Sequence, residues 1–212
     1  DFKKQNVLLL IASYFFYSCW DWRFLFLLVF SVVLDFYSGL KIEEAQTRKQ
    51  KRKWLFLSII INVSFLGVLK YYNFFAASFI SLAAHLGFHL DLWVVSLILP
   101  VGISFYTFHG LSYIIDVYKE RIKAERNFID YSLFVSYFPL LVAGPIERAT
   151  HLLPQIKKPR FFNHTLAADG LRQILWGLFK KVVIADSCAV VVNSIFEDYA
   201  HQTSGSLVLG AI

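Results

Sequence analysis

An all-α polytopic membrane protein, with one apolar segment re-entrant or broken, is the fold that this sequence predicts. Three observations carry the prediction. Of 212 residues, 57% are hydrophobic, 18% aromatic and only 17% charged, and the mean hydropathy is +0.55, outside the range of soluble domains. The basic residues gather in short segments between apolar runs, the distribution that retention of Lys and Arg on the cytoplasmic side produces. No stretch alternates with a two-residue period long enough for a barrel, and no internal repeat is present. The net charge of +6 does not point to nucleic acid, because the cations are not interleaved with aromatics on one face.

The first two elements are Val7 to Tyr17 and Phe24 to Leu40, separated by "SCWDWRF", whose Trp, Asp and Arg suit an interfacial turn. The first run is short against the roughly 20 residues a span needs, so part of it is expected upstream of Asp1. The absence of Met and the final "SGSLVLGAI" give the same expectation: a single N-terminal portion, 1–212, truncated at both ends. No small-residue cleavage site follows the first apolar run, so it is not read as a signal peptide. Cys19 and Cys188 show no pairing pattern and are expected as small buried hydrophobes.

"KIEEAQTRKQKRK", Lys41 to Lys53, is a basic loop placed in the cytoplasm, and "YKERIKAER", Tyr118 to Arg126, belongs on the same side. An even number of crossings must join them. Trp54 to Ala84 and Leu92 to Val117 supply two, and the turn His85 to Asp91, without Lys or Arg, faces outward. Lys70 interrupts the first of these spans, as a helix end, a break or a snorkelling side chain. Tyr131 to Ile146 is short, contains Pro139, closes on Gly144-Pro145 and has basic loops on both flanks, which predicts a segment that does not cross fully. Leu166 to Val192 places Arg172, Lys180, Lys181 and Asp186 on one possible stripe, so it is an amphipathic helix or a buried one facing a cavity. Lys180 and Lys181 read as headgroup contacts.

The segment "LPVGISFYTFHGLSYIIDVYKE" holds the ionisable residues that lipid penalises most. Along a helix, Phe105, His109, Ser112 and Asp116 share a face, with Tyr106 and Tyr113 beside them. That face is expected to meet protein or a polar cavity. For His109 the plainer reading is a hydrogen-bonded imidazole inside the bundle, the sharper one a group that orients a substrate. Asp116 is expected to pair with Lys119 or with a basic residue from another segment. His85 and His89 have metal-ligand spacing, but only Asp91 could join them and Gly87 lies between, so no metal site is assigned. His151, His164 and His201 are isolated. No phosphate-binding Gly loop, nucleophile elbow or catalytic carboxylate pair is present.

Five stretches in order, "ASYFFYSCWDWRF", "KYYNFF", "LPVGISFYTFHGLSYIIDVY", "FPLLVAGPIERATHLLPQI" and "GLFKKVVIAD", resemble the membrane-bound O-acyltransferases, in the bacterial branch similar to alginate O-acetyltransferase. The resemblance spans Ala12 to Asp186. It implies a segment of a larger many-helix body built around a tunnel, in the bacterial inner membrane. It also implies an acyl thioester donor, acetyl-CoA or acyl carrier protein, as substrate, with no bound cofactor. The implied acceptor is an extracytoplasmic polysaccharide such as alginate, or a partner acetyltransferase protein. The family's catalytic His, in a Trp-His-Gly-like motif, has no counterpart here, so no catalytic residue is assigned within the chain and one is expected beyond Ile212. His109, Ser112, Asp116, Tyr106 and Tyr113 become candidates to line the tunnel or orient the substrate. Glu147 and Arg148 of "GPIER" become candidates for donor binding, since a guanidinium can grip a phosphate or carboxylate; a local Glu-Arg pair is the plainer reading. A transporter or channel subunit is the alternative reading from the same intramembrane polar groups, although no second copy of the broken segment is visible. A membrane scaffold is the third.

Overall fold

The computed structural model describes residues 2–85, 87, 100–142 and 144–211, and all regular structure among them is helical. The chain divides into two compact units, Asp1–Pro159 and Arg160–Ile212.

In the first unit, α1 (Phe2–Glu44) is helical except at Asp21, whose extended backbone (φ −160, ψ 111) breaks it into two limbs. The expected interfacial turn is therefore a one-residue break. Asp21 accepts from both the backbone and the guanidinium of Arg23, which holds the turn. The first limb runs from Phe2 to Trp20, about 28 Å at 1.5 Å per residue.

Helix α2 (Arg48–His85) starts six residues before the expected Trp54, because Thr47 accepts from the Gln50 N–H and caps it. Much of the expected basic loop is thus helix end. Lys70 neither ends nor breaks α2; its ammonium lies 5.5 Å from the Tyr71 ring centre. Both α1 and α2 are long and apolar enough to cross a membrane, and α1 turns Leu8, Ile11, Phe15 and Phe26 outward, a surface that suits lipid or a packed neighbour.

Helix α3 (Ile103–Tyr118) opens after a turn at Gly102, so the expected span Leu92 to Val117 does not run as one helix through 100–102. Pro100 to Gly102 is a turn, and residues 88–99, which include His89, Asp91 and the outward turn, lie outside the described residues. Gly102 has φ +76, and a Cβ there would sit 2.5 Å from the Leu141 carbonyl oxygen, so the position is open to glycine for two separate reasons.

The segment after α4 (Phe128–Ser136) is broken, as expected. Pro139 has no N–H for the carbonyl of Val135, the chain bends at Tyr137 (φ −58, ψ 109), and a short α5 (Phe138–Leu141) follows. The Phe138 N–H that the break releases donates to Ser13 Oγ on α1. After a bend at Gly144 the chain is extended through 145–148 and enters α6 (Ala149–Ile156). Tyr106, Tyr113, Tyr131, Phe134 and Leu133 form the fully buried centre of this unit.

The second unit is α7 (His164–Phe179), a π-helical stretch Lys180–Ala185, α8 (Asp186–Glu197) and α9 (Ser204–Ala211). The expected helix Leu166 to Val192 is therefore continuous but carries a π turn. Lys181 pairs with Asp186, and Lys180 lies over the Trp176 ring. None of these helices buries a residue. Cys19 and Cys188 are both exposed on their helices, contrary to the expected burial.

Candidate functional site

Helix α3 places most of its polar residues inside the first unit. His109 is fully buried, its ring 5.7 Å from that of Phe134. Its Nε2 accepts a 3.0 Å hydrogen bond from the backbone N–H of Glu147, which leaves the ring proton on Nδ1. Ser112 donates to the His109 carbonyl one turn back. Asp116 is buried and pairs at 3.2 Å with Arg121, in place of the expected Lys119. Tyr113 accepts from the Glu125 N–H through its hydroxyl, and its ring packs 4.6 Å from that of Tyr131. Tyr106 is buried in the core.

Of the two residues singled out in "GPIER", Glu147 meets α3 through its backbone. The Glu147 backbone is tied to His109, while the Glu147 carboxylate reaches His151 at 2.8 Å, so the expected local partner Arg148 is replaced by a residue one turn on. The Arg148 guanidinium is exposed at the start of α6. The 144–148 turn is rigidly placed on one side only: Gly144 has no room for a Cβ, which would lie 2.5 Å from Leu140 Cα. His85 bonds to the Ser81 carbonyl. An apolar groove of about 800 Å³ along α2, lined by Gly67, Val68, Tyr72, Phe75 and Phe79, includes no residue of α3.

One buried polar cluster escaped the reading of the sequence. Asp35 on α1 accepts from Ser58 Oγ (2.6 Å) and Asn62 Nδ2 (2.8 Å) on α2, and Asn62 Oδ1 in turn accepts from Ser31 (2.7 Å). The second carboxylate oxygen of Asp35 lies against Gly110, where any Cβ would collide with it. Gly39 makes the reverse approach: a Cβ there would lie 2.7 Å from the Tyr113 ring. Small residues thus let α1 and α3 cross closely, while the Asp35 carboxylate ties α1 to α2 and packs its other oxygen against α3. The signal was present as a lone Asp in "SVVLDFYSGL", with Ser58 and Asn62 four apart in the next apolar run.

A helical body with apolar outer faces, a proline-broken segment and polar groups turned to the protein interior defines an integral membrane protein. Known sequences carry the assignment further. The chain is 40% identical over 214 residues to the probable alginate O-acetylase AlgI of Pseudomonas syringae pv. tomato, covering 99% of this chain and 40% of that protein. It is 39% identical to that of Azotobacter vinelandii, over 99% of this chain and 42% of the relative. It is also 39% identical over 225 residues to the peptidoglycan O-acetyltransferase of Helicobacter pylori, covering 94% of this chain and 41% of that protein. The chain belongs to the membrane-bound O-acyltransferase family, and it spans about 40% of the length of the curated relatives it matches. No family model and no solved structure matches it.

Proposed function

We propose that the chain is part of a membrane-embedded O-acetyltransferase of a bacterial inner membrane that esterifies hydroxyl groups of an extracytoplasmic polysaccharide such as alginate. The observation behind this reading is the 36 to 40% identity to proteins named as polysaccharide or peptidoglycan O-acetylating enzymes, sustained over almost the whole chain. In the reaction an acceptor hydroxyl attacks the carbonyl carbon of a thioester, acetyl-CoA or an acyl carrier protein, the carbon–sulfur bond breaks, and the thiol leaves with the proton that the hydroxyl gave up. A partner acetyltransferase protein is the other acceptor this chemistry allows. No base is assigned among the residues of this chain. His109 is given a positioning role: it holds the Glu147 backbone of the 144–148 turn against α3, so that the neighbouring Arg148 is offered to the acidic groups of a donor. The basic segments 41–53 and 118–126 lie on the cytoplasmic side in a multi-pass arrangement.

The test is the ester content of the exported polysaccharide in cells lacking the full-length protein, restored by the wild type or by His109→Ala. The reading expects ester loss in the deletion and partial recovery with the variant. Unchanged ester content, with loss of a transported solute instead, would favour the transporter. Impermeant thiol labelling of single cysteines at Lys51 and Lys123 in intact cells checks the orientation; labelling of both reverses it.

A further inference from the structure

The start of α2 and the end of α3 enclose a cleft that the acyl-transfer reading does not use. One side of about 590 Å³ is lined by Arg48, Lys49, Arg52, Leu55, Phe56 and Tyr118. It adjoins a space of about 520 Å³ that shares Arg48 and Tyr118 and adds Lys51, Lys119 and Glu120. The cations outnumber the single acid, and Glu120 is already engaged by Lys51 at 2.6 Å. Among the described residues no carboxylate pairs with Arg48, Lys49 or Arg52. Below the cations the lining turns apolar: Leu55 and Phe56 form its base, Arg52 lies 5.2 Å from the Phe56 ring centre, and Trp54 marks where the charged start of α2 gives way to its membrane-crossing run.

We infer that this cleft binds an anionic phospholipid, with the headgroup phosphate among Arg48, Lys49 and Arg52 and the start of an acyl chain along Leu55 and Phe56. A basic recess between helices at the membrane boundary is suited to a headgroup phosphate, and planar guanidinium groups bind phosphate oxygens in pairs. The apolar base is what separates a lipid from a free anion or an acidic protein segment. A free phosphate gains nothing from Leu55 and Phe56, and an acidic protein would not need them.

The experiment is native mass spectrometry of the full chain released from nanodiscs containing phosphatidylglycerol or phosphatidylcholine. Retention of phosphatidylglycerol and not phosphatidylcholine is expected. Each cation removed weakens headgroup attraction about fivefold, so the Arg48→Ala, Arg52→Ala pair should reduce retention on the order of twentyfold. Lys123→Ala with Lys158→Ala removes the same charge outside the cleft and should leave retention unchanged; equal loss there would show diffuse attraction and overturn the site. Both arginines are exposed, and unchanged thermal unfolding of the pair confirms that the fold is intact. Displacement by inorganic phosphate as effective as displacement by a short-chain phosphatidylglycerol would assign the cleft to free anions. Recovery of an acidic protein in place of lipid would assign it to a partner, and either result overturns the proposal.

Discussion

The two units treat burial in opposite ways. In the first, polar groups go inside: Asp35, Asn62, His109, Asp116 and Asp130 are all buried, and each has a named protein partner. In the second, even the apolar groups stay outside: Leu166, Leu175, Trp176 and Val190 are each more than half exposed. A buried polar group without a partner is costly in a low-dielectric setting, so the first unit is specified by pairings that tolerate few changes. The second holds its helices by their own backbone bonds and local contacts and turns its apolar side chains outward.

The largest effect is expected where one carboxylate ties α1 to α2 and packs against α3. Asp35→Leu leaves Ser58 and Asn62 without their acceptor and drives a branched side chain against Gly110, a loss of about 4 kcal/mol. Gly110→Val strikes the same contact from the other side and should come close to it. Asp35→Asn keeps the shape and an acceptor oxygen, and should cost much less. Thermal unfolding in nanodiscs orders the three; an Asp35→Leu protein as stable as wild type would remove the cluster from the account of the fold.

The comparison itself is sharpened by one pair of truncations. Leu133→Ala in α4 empties a fully buried site and should cost about 3 kcal/mol. Leu175→Ala in α7, 69% exposed, should change stability by less than about 0.5 kcal/mol. Equal losses in the two would mean that α7 is covered in the native protein.

His109→Ala comes next. It opens a space beside Phe134 and leaves the Glu147 N–H without an acceptor, together about 2 kcal/mol. His109→Gln, whose amide oxygen can accept the same bond, should recover part of the stability and part of the ester formation. A glutamine variant as inactive as the alanine one, with stability restored, would show that the imidazole does more than position the turn.

How far the sequence could be read follows the same division. Apolar runs, basic segments and Pro139 announce helices and a break because each acts locally, and the polar face of α3 is visible from spacing alone. The partners of that face were hidden, since His109 meets a backbone N–H 38 residues away and no side-chain pattern records a backbone group. Lys70 shows the converse: a charge in an apolar run looks like punctuation, yet a long stem resting on Tyr71 lets the helix continue. Asp35 was legible as an isolated acid, but its meaning depends on Gly110, and a glycine's role emerges only when another helix is laid against it. In the second unit spacing suggested a stripe, and the π stretch at Lys180–Ala185 shifts its register.

The smallest effect separates backbone from charge at the end of α3. The N–H of Arg121 reaches the Asp116 carbonyl and that of Glu120 the Val117 carbonyl, the paired bonds of a Schellman turn. Its left-handed position is Glu120, at φ 60, where glycine is the usual residue. Glu120 also bonds to Lys51, and that hydrogen bond, followed by the ammonium charge, holds its carboxyl below the ordinary range. A lowered carboxylate value means that the pair's contribution is complete above the usual glutamate pKa and is lost as pH falls through the lowered one. Because the side chain is exposed, that contribution is small and screened by salt. Glu120→Gln should therefore leave the Tm at neutral pH almost unchanged and flatten its fall in acid. Glu120→Gly removes the same charge but relieves the left-handed backbone, and should raise the Tm by a few degrees. A glycine variant no more stable than the glutamine one would show that the turn carries no strain, leaving the ion pair as all that Glu120 contributes.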